Sequence, residues 1–164
     1  MNRPITKHSL TLIAICLLVV LTGCKFEVVS NGDFDGNWHL MSTEDLTTGE
    51  VTDNSQQRIF WGVAVRLINI HDSDQQGDGD VGKLGYYLRF RKSDSMLVVT
   101  EAYKNNWHED KEDGGDKPLL TPEEQEPLKH FGIYFIPQSF RIEYLSGSTL
   151  ILSTDTHRMT FAKQ

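Results

Sequence analysis

Hydrophobic and polar residues alternate along much of the chain from residue 36 onward, and a period of two predicts β-strands. Trp38, Leu40 and Ser42 occupy every second position of the first such segment, 36–42. The stretch 58–70 alternates most regularly, and its β-branched and aromatic residues favour a strand over a helix. We therefore predict a half-buried strand at 36–42 and one long strand at 58–70.

Six shorter segments continue the pattern and are separated by polar residues that favour turns. They are 84–91, 96–103, 133–136, 140–144, 150–152 and 158–162. The first two flank residues 92–95, where serine and aspartate side chains can bond the local backbone, so they predict an antiparallel hairpin. Residues 45–57 are predicted to be turn and loop.

One segment has helical signals instead. Thr121 is suited to the N-cap, Pro122 to the first helical position, and Glu124 to the third position of a capping box. Pro127 and Gly132 keep this helix short. The pattern as a whole predicts an all-β fold, an eight-stranded antiparallel up-and-down barrel with one short helix near 122–131. Closure into a barrel would remove exposed strand edges.

The N-terminal segment has a different pattern. Arg3 and Lys7 precede an apolar run at 10–21, which is the length of a signal-peptide core and short for a membrane span. The run ends at Leu21-Thr22-Gly23-Cys24, which resembles the bacterial lipoprotein signal. That resemblance implies cleavage after residue 23, lipidation of Cys24, and anchoring in the bacterial cell envelope, with the outer membrane as the expected membrane. The alternative is an ordinary secretory signal.

The predicted organisation is therefore a signal peptide at 1–23, a lipidated tether at 24–34 and one barrel domain at 35–164. Cys16 leaves with the signal and Cys24 carries lipid, so the mature chain has no disulfide and no reactive thiol. Removing the signal changes the formal net charge from −7 to −9. Such a surface is expected to repel nucleic acid and anionic lipid headgroups alike. We expect a monomer.

The Gly36-Asn37-Trp38 segment on the first predicted strand resembles the lipocalin (calycin) family, and the similarity extends over about residues 34–164. The resemblance implies that Gly36 and Trp38 close one end of the barrel and that an arginine near the last strand packs over the indole. Arg158 is the expected arginine, with Arg141 as its rival. The helix at 122–131 and the missing disulfide depart from typical lipocalins.

The family resemblance also implies a cavity that holds a hydrophobic or amphipathic small molecule. The residues expected to line it are Trp61, Tyr86, Leu88, Phe90, Tyr103, Phe140 and Tyr144. We expect about half of these residues to be ordinary packed core and not to contact a ligand. The alternative function is a solid barrel that binds a partner protein or glycan through the acidic loops at 71–82 and 104–118.

The chain lacks the motifs of common catalytic sites, including a nucleophile elbow, a His-Glu-x-x-His pair and a phosphate-binding glycine loop. The acidic stretch that begins at His71 departs from the spacing of a calcium-binding EF-hand loop. We therefore predict a protein that is not an enzyme and that binds no cofactor and no metal.

Overall fold

A computed structural model describes residues 30–74, 85–105 and 117–164, which form ten β-strands. The strands are β1 (Gly36–Asp45), β2 (Val51–Asp53), β3 (Ile59–Ala64), β4 (Leu67–Asp72), β5 (Tyr86–Lys92), β6 (Met96–Lys104), β7 (Lys117–Pro118), β8 (Gln138–Leu145), β9 (Thr149–Ser153) and β10 (His157–Lys163).

Eight of these strands close into an antiparallel barrel. They pair in the order β10-β9-β8-β6-β5-β4-β3-β1, and β1 then pairs with β10 from Trp38 opposite Lys163 to Asp45 opposite His157. The two short strands lie outside this circuit, β2 beside β1 and β7 beside β6. The prediction of an eight-stranded antiparallel barrel is confirmed.

The predicted strand at 58–70 is wrong in one respect, because it is a hairpin. Residues Val65 and Arg66 form a two-residue turn between β3 and β4, and Ala64 pairs with Leu67. Ile59, Trp61 and Val63 point into the barrel on one side of the turn, whereas Ile68 and Ile70 do so on the other. The change of phase marks the turn, which no glycine, proline or asparagine marks in the sequence.

The predicted strand at 133–136 is also wrong, since this segment has no strand pairing. Its backbone is held instead by the side chain of Gln138, whose Oε1 accepts hydrogen bonds from the amides of Tyr134 and Phe135. The predicted count of eight barrel strands is nevertheless correct, because the two errors cancel. The predicted strand at 58–70 is two strands, and the one at 133–136 is absent. The short strand β2 lies within the segment predicted to be loop.

The helical prediction near 122–131 is confirmed. Helix α1 (Pro122–Gln125) begins with a complete capping box, in which Thr121 Oγ1 accepts from the Glu124 amide and the Glu124 carboxylate accepts from the Thr121 amide. A 3₁₀ helix, Glu126–Phe131, follows without a break and ends at Gly132, whose φ of 82° is left-handed. Another 3₁₀ helix, Gly32–Phe34, precedes β1.

The core lies inside the barrel and is apolar. The inward positions of every barrel strand contribute to it, with Trp38, Trp61 and Phe140 among its largest buried side chains. Within the three described ranges, no helix is long and apolar enough to cross a membrane. The signal peptide predicted for residues 1–23 and residues 24–29 of the tether predicted for 24–34 lie outside the described residues, whereas residues 32–34 of that tether form the 3₁₀ helix that precedes β1.

Candidate binding site

The end of the barrel where β1 begins is closed by the N-terminal plug, which is the 3₁₀ helix of residues 32–34. Phe34 is fully buried and meets the ring of Phe90 edge to face, with 5.5 Å between centroids. The Trp38 indole N–H donates to the carbonyl oxygen of Phe34 at 2.8 Å. A buried indole N–H needs such a partner, so this bond holds the plug against the core.

Lys163 covers the Trp38 indole at this end. Its Nζ lies 4.8 Å from the ring centroid and donates to the carbonyl oxygen of Asp33 at 2.7 Å. Gly36 leaves the space that the lysine stem occupies, because a Cβ there would lie 2.5 Å from Lys163 Cε. The φ of Gly36, 131°, also favours glycine. The Gly-x-Trp segment and the last strand therefore meet through a lysine.

Arg158, the arginine predicted to cover Trp38, lies on the outer surface of the barrel instead, because of its phase along β10. Met159 and Phe161 point into the barrel, so residue 158 points outward and residue 163 returns to the inward side. Arg158 bridges two carboxylates on the outer surface, Glu44 at 2.8 Å and Glu143 at 2.9 Å. Its hydrogen bond is the main cause that lowers the pKa of Glu143.

The rival, Arg141, is also outside the barrel. Its guanidinium lies 2.6 Å from a carboxylate oxygen of Asp155, and both side chains are mostly exposed. Strand phase could have identified the correct residue, because Lys163 is two positions beyond Phe161 and four beyond Met159.

The opposite end of the barrel is closed by the helical plug, which is the 3₁₀ helix of residues 126–131. Leu128 is fully buried and Phe131 nearly so. The Trp61 indole N–H donates to the carbonyl oxygen of Phe131 at 3.2 Å. This plug occupies the mouth of the barrel, where β4 ends and β5 begins.

Polar contacts hold the helical plug to the strands around it. His130 Nε2 lies 2.7 Å from a carboxylate oxygen of Asp72 at the end of β4. The fully buried Gln138 donates from Nε2 to the carbonyl oxygen of Gly132 at 3.2 Å. A Cβ on Gly132 would lie 2.1 Å from the sulfur of Met159, so the chain after the plug packs directly on β10. Sequence patterns alone did not indicate that this helix closes the barrel.

Four of the seven residues predicted to line a cavity lie inside the barrel: Trp61, Leu88 and Phe140 are almost fully buried, and Phe90 is 9% exposed. Tyr86 is half-buried beside the helical plug, 6.1 Å from the Phe131 ring, and burial raises the pKa of its phenol. These inward side chains pack against each other, as the contact of Trp61 with Phe140 at 6.1 Å illustrates.

Tyr103 and Tyr144 lie outside the barrel, contrary to the prediction, and a separate β-bulge causes each error. In β6 the register shifts at Thr100, so Leu97, Val99 and Ala102 face inward and Tyr103 faces outward. There the Tyr103 hydroxyl donates to Glu101, and Arg89 lies 5.8 Å from its ring.

The second bulge is in β8. Ile142 pairs with Leu152 and Tyr144 with Ile151, so Glu143 is the extra residue and the inward phase moves to Leu145. Tyr144 is consequently 53% exposed. Strict alternation along a strand cannot reveal a bulge, because the bulge is set by pairing with the neighbouring strand.

A surface cleft of about 610 Å³, here called the rim cleft, adjoins the helical plug. Its lining includes Tyr134, Phe135, Gln138, Arg141 and Asp155. The ring of Tyr134 stacks on His157 at 4.4 Å, and Phe135 is 58% exposed. The cleft thus combines aromatic rings with an exposed ion pair and the hydroxyl groups of neighbouring residues.

Comparison with known families agrees with this geometry. A family model described as a lipocalin-like domain matches residues 19–164. The chain belongs to the lipocalin-like domain family. Members of this fold class are typically binding proteins. Among the described residues of this lipocalin-like domain, no group of three or more acidic, histidine or cysteine side chains is placed to ligate a metal.

Two solved structures resemble this lipocalin-like domain. A lipocalin-like protein from Bacteroides uniformis has 17% identity and a TM-score of 0.55, and the match covers 81% of this chain and 100% of that one. An uncharacterized protein from Bacteroides eggerthii has 16% identity and a TM-score of 0.52, covering 80% and 99%. At these identities the similarity supports the fold alone. A search of curated proteins found no match.

Proposed function

We propose that this protein is a lipid-anchored binding protein of the bacterial envelope, and that its barrel binds its target on the outer surface at the rim cleft. Cys24, in the lipoprotein-like segment, would carry the anchor. The observation that carries the binding proposal is the closure of the mouth by the helical plug, through the bond from Trp61 to Phe131.

The closed mouth favours an external site for a physical reason. Leu128 and Phe131 lie where a ligand would enter, and the inward rings behind them already contact each other. A small hydrophobic molecule would have to displace these buried side chains, and each displaced side chain would lose burial free energy of about 1.5–3 kcal/mol. An external target needs no such displacement.

The rim cleft has the chemistry of a polar target with an apolar face, such as a glycan or a protein segment. An exposed aromatic ring like Phe135 can cover an apolar face, whereas Arg141 and Asp155 present charged hydrogen-bonding groups beside it. The acidic loops predicted to bind such a partner, 71–82 and 104–118, lie mostly outside the described residues. The aromatic rim was not predicted from the sequence.

Site-specific photo-crosslinking in living bacteria tests the external site. A photoreactive phenylalanine analogue at Phe135 should give an adduct with a target, while the same analogue at Val51, which is 61% exposed on β2, should not. Equal adducts at both positions, or none at Phe135, would contradict the rim cleft as the binding site.

A bound molecule inside the barrel is the competing function, and native mass spectrometry of residues 24–164 separates the two. An external site predicts the apo mass after purification and no change with added fatty acid. A reproducible extra mass that leaves on denaturation would support the interior site. The anchor is tested separately, because Cys24→Ser should move the protein from the membrane fraction to the soluble fraction.

A further inference from the structure

A second surface cleft, of about 750 Å³, lies at the end of the barrel that the N-terminal plug closes. The residues that matter here are Val65, Arg66, Leu67, Arg89, Arg91 and Lys92. We call the four cations the basic face. Among the described lining residues Glu101 is the single carboxylate, 3.7 Å from Arg89. No ion pair joins Arg66, Arg91 or Lys92 to a carboxylate in the described part of the chain.

Asp33, Asp35 and Asp94 are further acids at this end of the barrel, and of these Asp35 is already engaged in hydrogen bonds. Its carboxylate accepts hydrogen bonds from the amide and the side chain of Asn31 at the edge of the cleft. The lining of the cleft, with four cations and one carboxylate, is therefore positive although the whole chain has a net charge of −7. A charged molecule at this cleft would respond mainly to the charges that line it, because salt at physiological concentration screens charges more than about 8 Å away.

Val65 forms an apolar tip beside the basic face. It is the first residue of the two-residue turn between β3 and β4, it has a φ of 57°, and it is 56% exposed. A β-branched residue is a conformational outlier there, where glycine or asparagine is usual. Leu67 next to it is 40% exposed. An apolar side chain kept in a strained, exposed turn indicates a contact outside the chain.

The N-terminus of the described chain lies at this same surface. The Asn31 side chain donates to the carbonyl oxygen of Val65 at 2.8 Å. Only five residues separate Ser30 from Cys24, and the six chain steps between them span about 20 Å at most. A lipid on Cys24 would therefore keep this end of the barrel close to the bilayer.

We propose that the basic face docks on anionic phospholipid headgroups of the bilayer that holds the anchor, with Val65 entering the interfacial layer. The orientation rests on the lipid anchor proposed above. The attraction itself needs no acyl chain, because it comes from the cations and the apolar tip. The net charge of the sequence predicted repulsion from such headgroups, whereas the proposed docking depends on the local arrangement of the cations.

Vesicle flotation tests the docking with residues 24–164 carrying Cys24→Ser, so that no acyl chain contributes. The probes are phosphatidylcholine vesicles with and without about 30% phosphatidylglycerol, at low salt. We expect binding only to the anionic vesicles. Paired neutralisation, Arg66→Gln with Arg91→Gln, should weaken it about thirtyfold, since each cation near an anionic surface contributes about fivefold.

The matched control is Lys117→Gln with Lys129→Gln, which changes the net charge equally at the end of the barrel that the helical plug closes. It should alter binding by less than about twofold. Val65→Gly should weaken binding about tenfold while the thermal unfolding midpoint stays the same or rises, because glycine suits the turn. Circular dichroism confirms that each variant is folded.

Three outcomes would overturn the docking: no binding to anionic vesicles, equal binding to neutral vesicles, or equal loss in the paired variant and its control. A failed anchor would appear instead in the fractionation of Cys24→Ser, so the two proposals fail in different experiments. Vesicle binding by the basic face would stand even if Cys24 carried no lipid.

Discussion

The indole N–H of Trp61 donates to the carbonyl oxygen of Phe131 at 3.2 Å, which ties the middle of the barrel wall to the plug at its mouth. Trp38 is the direct cross-strand partner of Trp61 and makes the equivalent bond to Phe34 at the other end. Two adjacent tryptophans thus hold the two plugs, and we expect a change at either tryptophan to loosen mainly its own plug.

We expect Trp61→Phe to destabilise the protein by about 2–4 kcal/mol, because it leaves a buried carbonyl group without its donor and removes part of a packed ring. Amide hydrogen exchange should rise in residues 126–131 more than in 32–34. The control is Trp38→Phe, for which the pattern should be reversed. Equal exchange changes at both plugs would contradict this assignment.

Gly36 and Lys163 should be energetically coupled. Gly36→Ala is expected to cost about 2–4 kcal/mol, because the new Cβ meets Lys163 and the φ of 131° is strained for alanine. Part of this cost should vanish in a Lys163→Ala background, where the clash is gone and only the backbone strain remains. A double-mutant cycle on the free energy of unfolding measures the coupling, and a coupling of zero would contradict the contact.

Arg158 should matter much less than its predicted role implies. Exposed ion pairs contribute at most about 1 kcal/mol each, so Arg158→Met should have a small effect at neutral pH. Because Arg158 lowers the pKa of Glu143, that contribution is present above the ordinary glutamate value of 4.5 and is lost as pH falls through the lowered one. Denaturant unfolding of both proteins should therefore converge at low pH. A difference that persists unchanged in acid would contradict the ion pair.

His71 is expected to make the fold sensitive to mild acid. Its ring stacks on Phe60 at 5.4 Å, and burial lowers its pKa from 6.5. The folded state thus favours the neutral ring, so this contribution to stability is complete above pH 6.5 and is lost as pH falls through the lowered pKa. His71→Phe keeps the stacking and should reduce the stability loss between about pH 7 and pH 5. An unchanged pH dependence would contradict the prediction.

The sequence determined the class of fold, because period-two alternation reports which side of a strand is buried whatever the partner strand is. It therefore predicted the barrel and the hairpin of β5 and β6, whereas the closed end at Gly36 and Trp38 was implied by the resemblance to lipocalins. The capping box at Thr121 was equally predictable, since its hydrogen bonds join residues three apart. Burial of Trp61, Leu88 and Phe140 follows from the same alternation.

Only the tertiary structure decided the features that depend on pairing between distant segments. The bulges that turn Tyr103 and Tyr144 outward arise from register with neighbouring strands, and the hairpin at Val65 has no local turn residue to reveal it. The lysine over Trp38, the plug at Phe131 and the positive cleft in an acidic chain all bring together residues far apart in sequence. Hydrophobic periodicity is a local property and net charge is a property of the whole chain, so neither predicts a contact between two particular residues that are far apart in sequence.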